Sequence, residues 1–258
     1  MKLYFDTEFT GLKKDTTLVS IGIVDQVERK FYAELSDWDK SYLADDWFRT
    51  NVYSRLLFPN LISNQVMPLE WGDPACTYVF GSKDYVGNQL RTWLKPYTHT
   101  QMVSDVCHYD MVLLIDLFGG TAFDLPEGMS AVCHDINQDI ARFTGKTDAK
   151  AFDLSREVFI RHYAPEIYRS LNFDKHNALF DAKIISTIDR IISTIRSVPS
   201  QNISQNKIIK EGEEMVSHIE DMAGVTADEA LDLSREAIRQ YLQIFKPYNI
   251  TKGEENEN

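Results

Sequence analysis

The acidic residues Asp6 and Glu8, close to the start of the chain, have the type and spacing that could do chemistry. They follow the run Leu3-Tyr4-Phe5, whose residue types favour a pleated, half-buried strand. Because side chains alternate between the two faces of a strand, both carboxylates project from the same side. Carboxylates that close raise each other's pKa unless a cation lies between them. The pair predicts a site for a divalent metal ion, the alternative being a strand end whose acids simply face water.

Residues far along the chain could complete this site. Asp110 falls in the first turn of a predicted helix that directly follows a strand, and ligands of α/β sheets bind at this edge. Asp105, just before that helix, is the competing acid. His176 and Asp181 are five residues apart, which is roughly 140° around a regular helix. Both can face one site only if His176 lies at or before the first helical turn, with Asp174 as the cap.

In this order and context, the segments resemble the DEDDh 3′→5′ exonuclease superfamily, which includes proofreading exonuclease subunits, oligoribonuclease and RNase T. The residues that resemble it are Asp6-x-Glu8 with Thr10-Gly11-Leu12, then Tyr109-Asp110, then His176-x4-Asp181. Three further stretches are most similar to the RNase AS-like exoribonucleases, namely Tyr4 to Phe9, Trp47 to Val52 and His176 to Ala182. The resemblance extends over about residues 1–195 and rests on three separated motifs, which are more specific together than any one alone.

The resemblance implies a ribonuclease H-like fold and a hydrolase with two Mg²⁺ or Mn²⁺ ions in its active site. The implied metal ligands are Asp6, Glu8, Asp110 and Asp181, and His176 is the implied general base. Hard divalent cations prefer carboxylate oxygens, and a histidine can exchange a proton near neutral pH. The family also implies substrate contacts from Thr7, Phe9, Thr10 and Leu12. Phe9 stands where proofreading enzymes commonly have threonine, which fits the RNase AS subgroup.

The implied substrate is the 3′ end of a single-stranded nucleic acid, RNA rather than DNA, and the product is a nucleoside 5′-monophosphate. One alternative keeps the chemistry but takes single-stranded DNA, as in proofreading. A second alternative is a non-catalytic scaffold of exonuclease fold that binds a partner through its C-terminal tail. Because related enzymes of the superfamily are often dimers, a homodimer is an expected assembly.

The length and composition limit the class of protein. A chain of 258 residues with 43% hydrophobic residues can form one large domain, or one domain plus an extension. No apolar run approaches the roughly 20 residues that cross a bilayer, so we expect no membrane partner. Three cysteines form no disulfide framework and suit a reducing compartment. Since the chain opens directly in a predicted strand with no leader pattern, we expect a cytoplasmic protein.

The net charge of −12 argues against tight, non-specific coating of duplex nucleic acid. Half of that charge lies in residues 201–258, which hold 6 Lys or Arg and 12 Asp or Glu. If four acids of the remaining chain bind two divalent cations, residues 1–200 are close to neutral. The charge therefore leaves room for capture of a single strand end.

The ribonuclease H-like fold that the resemblance implies is an α/β fold with a five-stranded mixed sheet flanked by helices, and the periodicity locates four of the strands. The predicted strands include Lys2–Phe5, Thr17–Asp25, Lys30–Leu35 and Gln101–Val106. The predicted helices are Asp39–Val52, Ser82–Leu94, Tyr109–Phe118, Ala131–Gly145, Asp153–Tyr163 and His176–Ser197. Between them, Pro59–Phe80 shows no period and is predicted to be a long loop.

The composition changes after the last of these helices. Residues 197–206 form a polar linker, so we predict an exonuclease domain over 1–198 and an extension over 199–258. In the extension, two amphipathic helices predict a hairpin, the second opened by the capping box Thr226 to Glu229. The acidic end, Gly253–Asn258, is predicted to be disordered.

Overall fold

The strand that contains Asp6 and Glu8 lies inside a seven-stranded mixed sheet flanked by helices. The structure, a computed structural model, describes residues 1–68, 72–171 and 175–197. The strands are β1 (Lys2–Phe9), β2 (Leu18–Asp25), β3 (Lys30–Leu35), β4 (Gln65–Val66), β5 (Cys76–Gly81), β6 (Thr100–Ser104) and β7 (Met129–Asp135). Their order across the sheet is β4-β5-β3-β2-β1-β6-β7. The β1–β2, β2–β3 and β4–β5 pairs are antiparallel, whereas β3–β5, β1–β6 and β6–β7 are parallel.

Eight α-helices are described. They are α1 (Asp46–Asn51), α2 (Lys83–Leu94), α3 (His108–Leu117), α4 (Ile136–Thr144), α5 (Asp148–Phe152), α6 (Arg156–Tyr163), α7 (Pro165–Ser170) and α8 (Ala178–Ser197). Short 3₁₀ turns occur at Lys40–Ala44, Tyr53–Arg55 and Ala122–Asp124. In the described part of the chain, no helix has both the length and the apolar character needed to cross a bilayer.

The chain divides into two compact units. The first consists of residues 1–139 and 152–191 and contains the whole sheet. The second consists of residues 140–151 and 192–258, of which 140–151 and 192–197 are described. The predicted domain boundary at 198/199, the linker, the helical hairpin and the acidic tail lie outside the described residues.

Alternation along β1 divides its side chains between two apolar layers. Leu3 and Phe5 are fully buried in the larger cluster, together with residues of α2 and α3. Tyr4 points to the opposite face, on which α8 lies, and its hydroxyl contacts Asp189 of that helix. Because Asp6 and Glu8 share the orientation of Tyr4, they also face α8.

The start of α8 lies unusually close to the sheet at Gly22 of β2. A Cβ atom at Gly22 would come within 2.3 Å of the Ala178 backbone, so only glycine fits there. Ala178 and Ala182 are fully buried in the smaller apolar cluster. The small side chains of these two alanines let the helix approach the sheet this closely. Since Gly22 pairs with Asp6 across β1 and β2, the close approach occurs beside the acidic residues.

The predicted number of five strands is wrong, because the sheet has seven, three of which lie in segments predicted to be loop or helix. The predicted loop Pro59–Phe80 contains β4 and most of β5. Five of the six residues of β5 are buried, so the strand lacks the polar alternation that marks a half-exposed strand. The predicted helix Ala131–Gly145 is β7 followed directly by α4. β7 lies at the edge of the sheet with no fully buried residue, and its pattern merges with that of α4.

Three predicted helices begin later than expected. Asp39–Val52 is a 3₁₀ turn followed by α1, which begins after the capping side chain of Asp45. The helix predicted from Asp153 begins at Arg156, after the cap Ser155. The helix predicted from His176 begins at Ala178. In the first two cases, the capping side chain accepts a hydrogen bond from a backbone amide in the first turn of the helix, which fixes where the helix begins.

Candidate active site

Three carboxylates from two elements converge at one end of the sheet. Ligand oxygens of Asp6, Glu8 and Asp181 all lie within 4.8 Å of one another. The first two come from β1, and Asp181 comes from the first turn of α8. Glu8 is buried, and Asp6 and Asp181 are partly exposed to the cleft beside them. The predicted pairing of Asp6 with Glu8 on one side of a strand is confirmed.

A second contact between β1 and α8 fixes the position of Asp181. Tyr4 and Lys2 both contact the carboxylate of Asp189, at 2.6 and 2.7 Å. From Asp181 to Asp189 the helix rises about 12 Å, at 1.5 Å per residue. From Tyr4 to Glu8 the strand advances about 13 Å, at 3.3 Å per residue. Because the two spans match, anchoring Asp189 at the start of β1 brings Asp181 to the acidic pair.

The acids strongly perturb one another. Burial raises the pKa of Asp6 well above its ordinary value, and the charges of Asp110, Asp181, Glu8 and Asp105 raise it further. Burial also raises the pKa of Glu8 well above its ordinary value, with further contributions from Asp181 and Asp110. The predicted effect of Glu8 on the pKa of Asp6 is thus present, but burial and the charges of Asp110 and Asp181 are larger causes. Such a group of oxygen ligands fits a hard divalent cation, which would remove the repulsion.

His176 lies just before α8, as the predicted geometry requires. Its backbone has a φ of 64°, and its N–H donates a 2.9 Å hydrogen bond to Oδ2 of Asp181. The helix cap is Asn177, whose side chain accepts a 3.1 Å hydrogen bond from the amide of Phe180. The predicted cap Asp174 lies outside the described residues, and the observed cap replaces it. The left-handed turn at His176 allows histidine and aspartate to face one cleft despite their helical spacing.

The imidazole of His176 is oriented by packing. The ring of Trp47 meets it edge to face, with ring centroids 5.4 Å apart. In the described ranges, neither ring nitrogen of His176 has a hydrogen-bond partner. Burial lowers the pKa of His176, and the positive charges of Lys175 and Arg55 lower it further. The lowered pKa favours the neutral ring, which is the form that can accept a proton.

Asp110 lies next to the three converging carboxylates, but its own oxygens are engaged. Oδ1 accepts hydrogen bonds from the amide of Thr7 at 3.0 Å and from its hydroxyl at 2.5 Å. Oδ2 accepts a 3.0 Å hydrogen bond from the hydroxyl of Ser104. β6 pairs with β1 only as far as Tyr4, so the Asp110 carboxylate takes the place of the missing strand partner for Thr7.

The pKa of Asp110 rises to about 6, because burial outweighs the hydrogen bonds from Thr7 and Ser104 that lower it. The charge of Asp110 also raises the pKa of Asp6 and of Glu8, so Asp110 lies close to the site. Its oxygens do not belong to the group of three that converge within 4.8 Å. Its assignment as a metal ligand stays a prediction.

Asp105, the competing acid, forms an ion pair with Arg156. Nε and Nη2 of the guanidinium donate to the two carboxylate oxygens at 2.5 and 2.7 Å. Asn137 donates a further 2.7 Å hydrogen bond to Oδ1 of Asp105. Both Asp105 and Arg156 line the cleft that contains the three converging carboxylates. The two candidate acids therefore differ in their partners. Asp105 is neutralised by the Arg156 guanidinium, whereas Asp110 accepts hydrogen bonds from neutral donors.

The cleft beside these residues has a volume of about 430 Å³. One wall is the segment 152–157, and the other side is formed by the start of α8. Its titratable lining is mainly acidic, with two cationic side chains, Arg156 and Lys175. Phe152 lines it with 58% of its surface exposed. The cleft is open to solvent, and its volume lies in the usual range for small-molecule sites.

The predicted substrate residues occupy different environments. Thr7 lines the cleft but donates to Asp110, as described above. Phe9 stacks on Tyr109 of α3, with ring centroids 5.3 Å apart. The Thr10 hydroxyl accepts a 2.9 Å hydrogen bond from the amide of Thr17 and closes the β1–β2 turn. Leu12 lies in that turn with 79% of its surface exposed. Of the four, Thr7 lines this cleft; substrate contact by any of them stays a prediction.

Sequence reasoning did not identify Arg156, Asn177 or Trp47 as site residues. Arg156 lies 51 positions from Asp105, and no local pattern indicates such a contact. Asn177 could have been found, since asparagine is a preferred cap and directly precedes the alanine that begins α8. Trp47 belongs to a stretch of the family resemblance, but nothing in its spacing relates it to His176.

A scan against protein-family models finds no match for this chain, and a search of curated proteins finds no similar protein.

Proposed function

We propose that this protein is a metal-dependent 3′→5′ exonuclease that acts on single-stranded RNA. The observation that carries the proposal is the convergence of Asp6, Glu8 and Asp181 in one cleft with His176. Clustered, buried carboxylates destabilise a fold unless they serve a cation, so their presence favours a metal site over a scaffold role. The order and local context of the motifs supply the exonuclease assignment and the preference for RNA.

The sheet is compatible with the ribonuclease H-like fold that the resemblance implies. Five neighbouring strands, β3-β2-β1-β6-β7, form a mixed sheet around the acidic strand. In this arrangement β4 and β5 extend the sheet on the side away from β7. The site lies where β1 and β6 end and the following chain turns into loops and helices, which is the usual ligand edge of an α/β sheet.

The residues present fit a hard divalent cation. Asp6, Glu8 and Asp181 would hold it through carboxylate oxygens, and Asp110 would join them if its side chain left Thr7 and Ser104. When two such cations are bound, they supply electrostatic stabilisation of the attacking and leaving oxygens of a phosphodiester. Asp6, which has a carboxylate oxygen within 4.8 Å of those of Glu8 and Asp181, would be one of the residues that hold them.

His176 supplies the proton acceptor. Its neutral imidazole takes a proton from the attacking water while that water adds to the terminal phosphorus. The bond from phosphorus to the 3′ oxygen of the preceding nucleotide breaks, and the product is a nucleoside 5′-monophosphate. Asp181 accepts the 2.9 Å hydrogen bond from the backbone N–H of His176, so the proposed metal ligand and the proposed general base keep a fixed relative position.

A single strand suits the shape and surface of the cleft. The exposed ring of Phe152 offers a face on which a nucleobase can stack. Scarce positive charge along the cleft indicates that bound cations, rather than lysine or arginine side chains, would attract the terminal phosphate.

The test uses matched single-stranded RNA and DNA oligomers labelled at the 5′ end, incubated with Mn²⁺ or with EDTA. We expect a ladder of products shortened from the 3′ end, faster on RNA, and none with EDTA. Asp181→Asn should abolish the ladder, and Glu166→Gln, an exposed acid of α7, is the matched control. Faster shortening of DNA would support the proofreading alternative. Absence of shortening on both substrates would overturn the enzymatic proposal.

A further inference from the structure

Arg156 and Asp105 form an ion pair in the lining of the cleft that holds the candidate metal ligands, and neither has a role in the proposed reaction. The pair is bidentate and largely shielded, with side chains 16% and 23% exposed. Both residues line the cleft. Asp105 is thus an acid at the metal site that is not among the converging ligands.

The surrounding bonds hold Arg156 in one orientation. Its Nη2 also donates to the side-chain oxygen of Asn137, and its Nη1 donates to the carbonyl of Leu154 at 2.8 Å. Asn137 in turn donates to Asp105 and to Asp135, at 2.7 and 2.8 Å. These contacts join the ends of β6 and β7 and the starts of α4 and α6, so the guanidinium is fixed against Asp105.

Without its partner, Asp105 would join an already crowded group of negative charges. Its charge acts on both Asp6 and Asp110, where it raises the pKa of each carboxyl. Removing only the cation would leave an uncompensated carboxylate in the cleft, and nearby negative charge attracts a divalent ion strongly in a poorly solvated site.

We propose that Arg156 is a positioning residue that withholds Asp105 from the metal site and so limits the affinity of the cleft for divalent cations. The inference rests on the proposed metal site. Asp105 then belongs to a charge-balancing ion pair rather than to the metal ligands. The bidentate contact from Arg156 compensates the charge of this acid on the cleft wall. With a moderate affinity, the cations can bind and leave together with the substrate instead of remaining bound in its absence.

The test is calorimetric titration of Mn²⁺ into the full-length protein without nucleic acid. We expect Arg156→Gln to bind Mn²⁺ about tenfold more tightly than the wild type, because Asp105 loses its neutralising partner. Arg156→Lys keeps the charge and should bind within about threefold of the wild type. Arg169→Gln removes the same charge from the exposed pair with Glu166 in α7, and it is the matched control for net charge.

The double variant Asp105→Asn/Arg156→Gln separates a withheld acid from a metal ligand. We expect its Mn²⁺ affinity to return to that of the wild type, since both charges of the pair are gone. If Asp105 is a ligand in the native protein, the double variant will bind Mn²⁺ much more weakly, and the inference is overturned.

Two other outcomes have distinct meanings. Wild-type protein that binds no Mn²⁺ contradicts the metal site, and with it the proposed function. Wild-type binding with equal or weaker binding by Arg156→Gln, in a variant whose circular dichroism matches the wild type, overturns the inference alone. If Arg156→Gln does not fold, Asp105→Asn and the double variant decide. The inference expects weaker Mn²⁺ binding by Asp105→Asn, which leaves the Arg156 charge uncompensated beside the site, and wild-type affinity in the double variant. Wild-type affinity in both variants would show a purely structural role and overturn the inference.

Discussion

The backbone N–H of His176 donates a hydrogen bond to the carboxylate of Asp181, five residues further along the chain. The bond joins the implied general base to an implied metal ligand. It also stabilises the left-handed backbone of His176, which is uncommon for a residue other than glycine. The strained backbone of His176 therefore lies where the proposed general base meets the proposed metal ligand Asp181.

The division of roles between these two residues predicts the effect of removing the imidazole. We expect His176→Ala to lower kcat about 10²- to 10⁴-fold, the usual contribution of a general base, and to leave Mn²⁺ affinity unchanged. The backbone N–H to Asp181 is retained in the variant, so the ligand keeps its position. Calorimetry with Mn²⁺ and single-turnover assays measure the two effects. A loss of Mn²⁺ binding would make His176 a ligand instead.

Trp47 should act through the orientation of the His176 ring. We expect Trp47→Ala to lower kcat about 10- to 100-fold with little change in KM, because the imidazole loses the ring that packs against it. Trp47→Phe keeps an aromatic edge and should recover most of kcat. A rise in KM with unchanged kcat would show instead that Trp47 contacts the substrate.

The charges of four neighbouring acids raise the pKa of Asp6, and its removal should have opposite effects on activity and on the metal-free fold. We expect Asp6→Ala to lower kcat at least about 10³-fold, since it removes a ligand of the cations that stabilise the transition state. Without metal, the melting temperature should equal or exceed that of the wild type, because one of several mutually repelling carboxylates is gone. A lower melting temperature in EDTA would contradict the electrostatic argument.

The raised pKa of Asp110 predicts a pH dependence of the metal-free protein. The folded state keeps a proton on Asp110 up to about pH 6, whereas the unfolded chain releases it near 3.8. Stability from this group is therefore fully present below pH 3.8 and is lost as pH rises through about 6.

The asparagine of Asp110→Asn stays neutral at every pH. Thermal unfolding in EDTA from pH 4 to 8 should show the variant gaining stability relative to the wild type up to slightly above pH 6, then levelling off. A stability difference that does not change with pH would contradict the shift.

Sequence reasoning located those site residues that follow from local periodicity. Alternation along β1 places Asp6 and Glu8 on one side, and the helical angle between His176 and Asp181 requires the histidine to precede α8. The Arg156–Asp105 pair depends on where α6 lies, which no local pattern specifies. The same holds for β5, whose burial on both faces removes the alternation, and for β7, an edge strand that continues directly into α4. The local sequence does not indicate the role of Gly22 either, because that role depends on a helix more than 150 residues further along the chain.

The most direct measurement of the proposed reaction is the position of the new oxygen in the product. Single-stranded RNA is degraded by the full-length protein with Mn²⁺ in water enriched in ¹⁸O, and the mononucleotides are analysed by mass spectrometry. We expect nucleoside 5′-monophosphates with one ¹⁸O on the phosphate, because water attacks phosphorus and the 3′ oxygen of the preceding nucleotide leaves. Nucleoside 3′-monophosphates, or 5′-monophosphates without the label, would contradict the proposed hydrolysis.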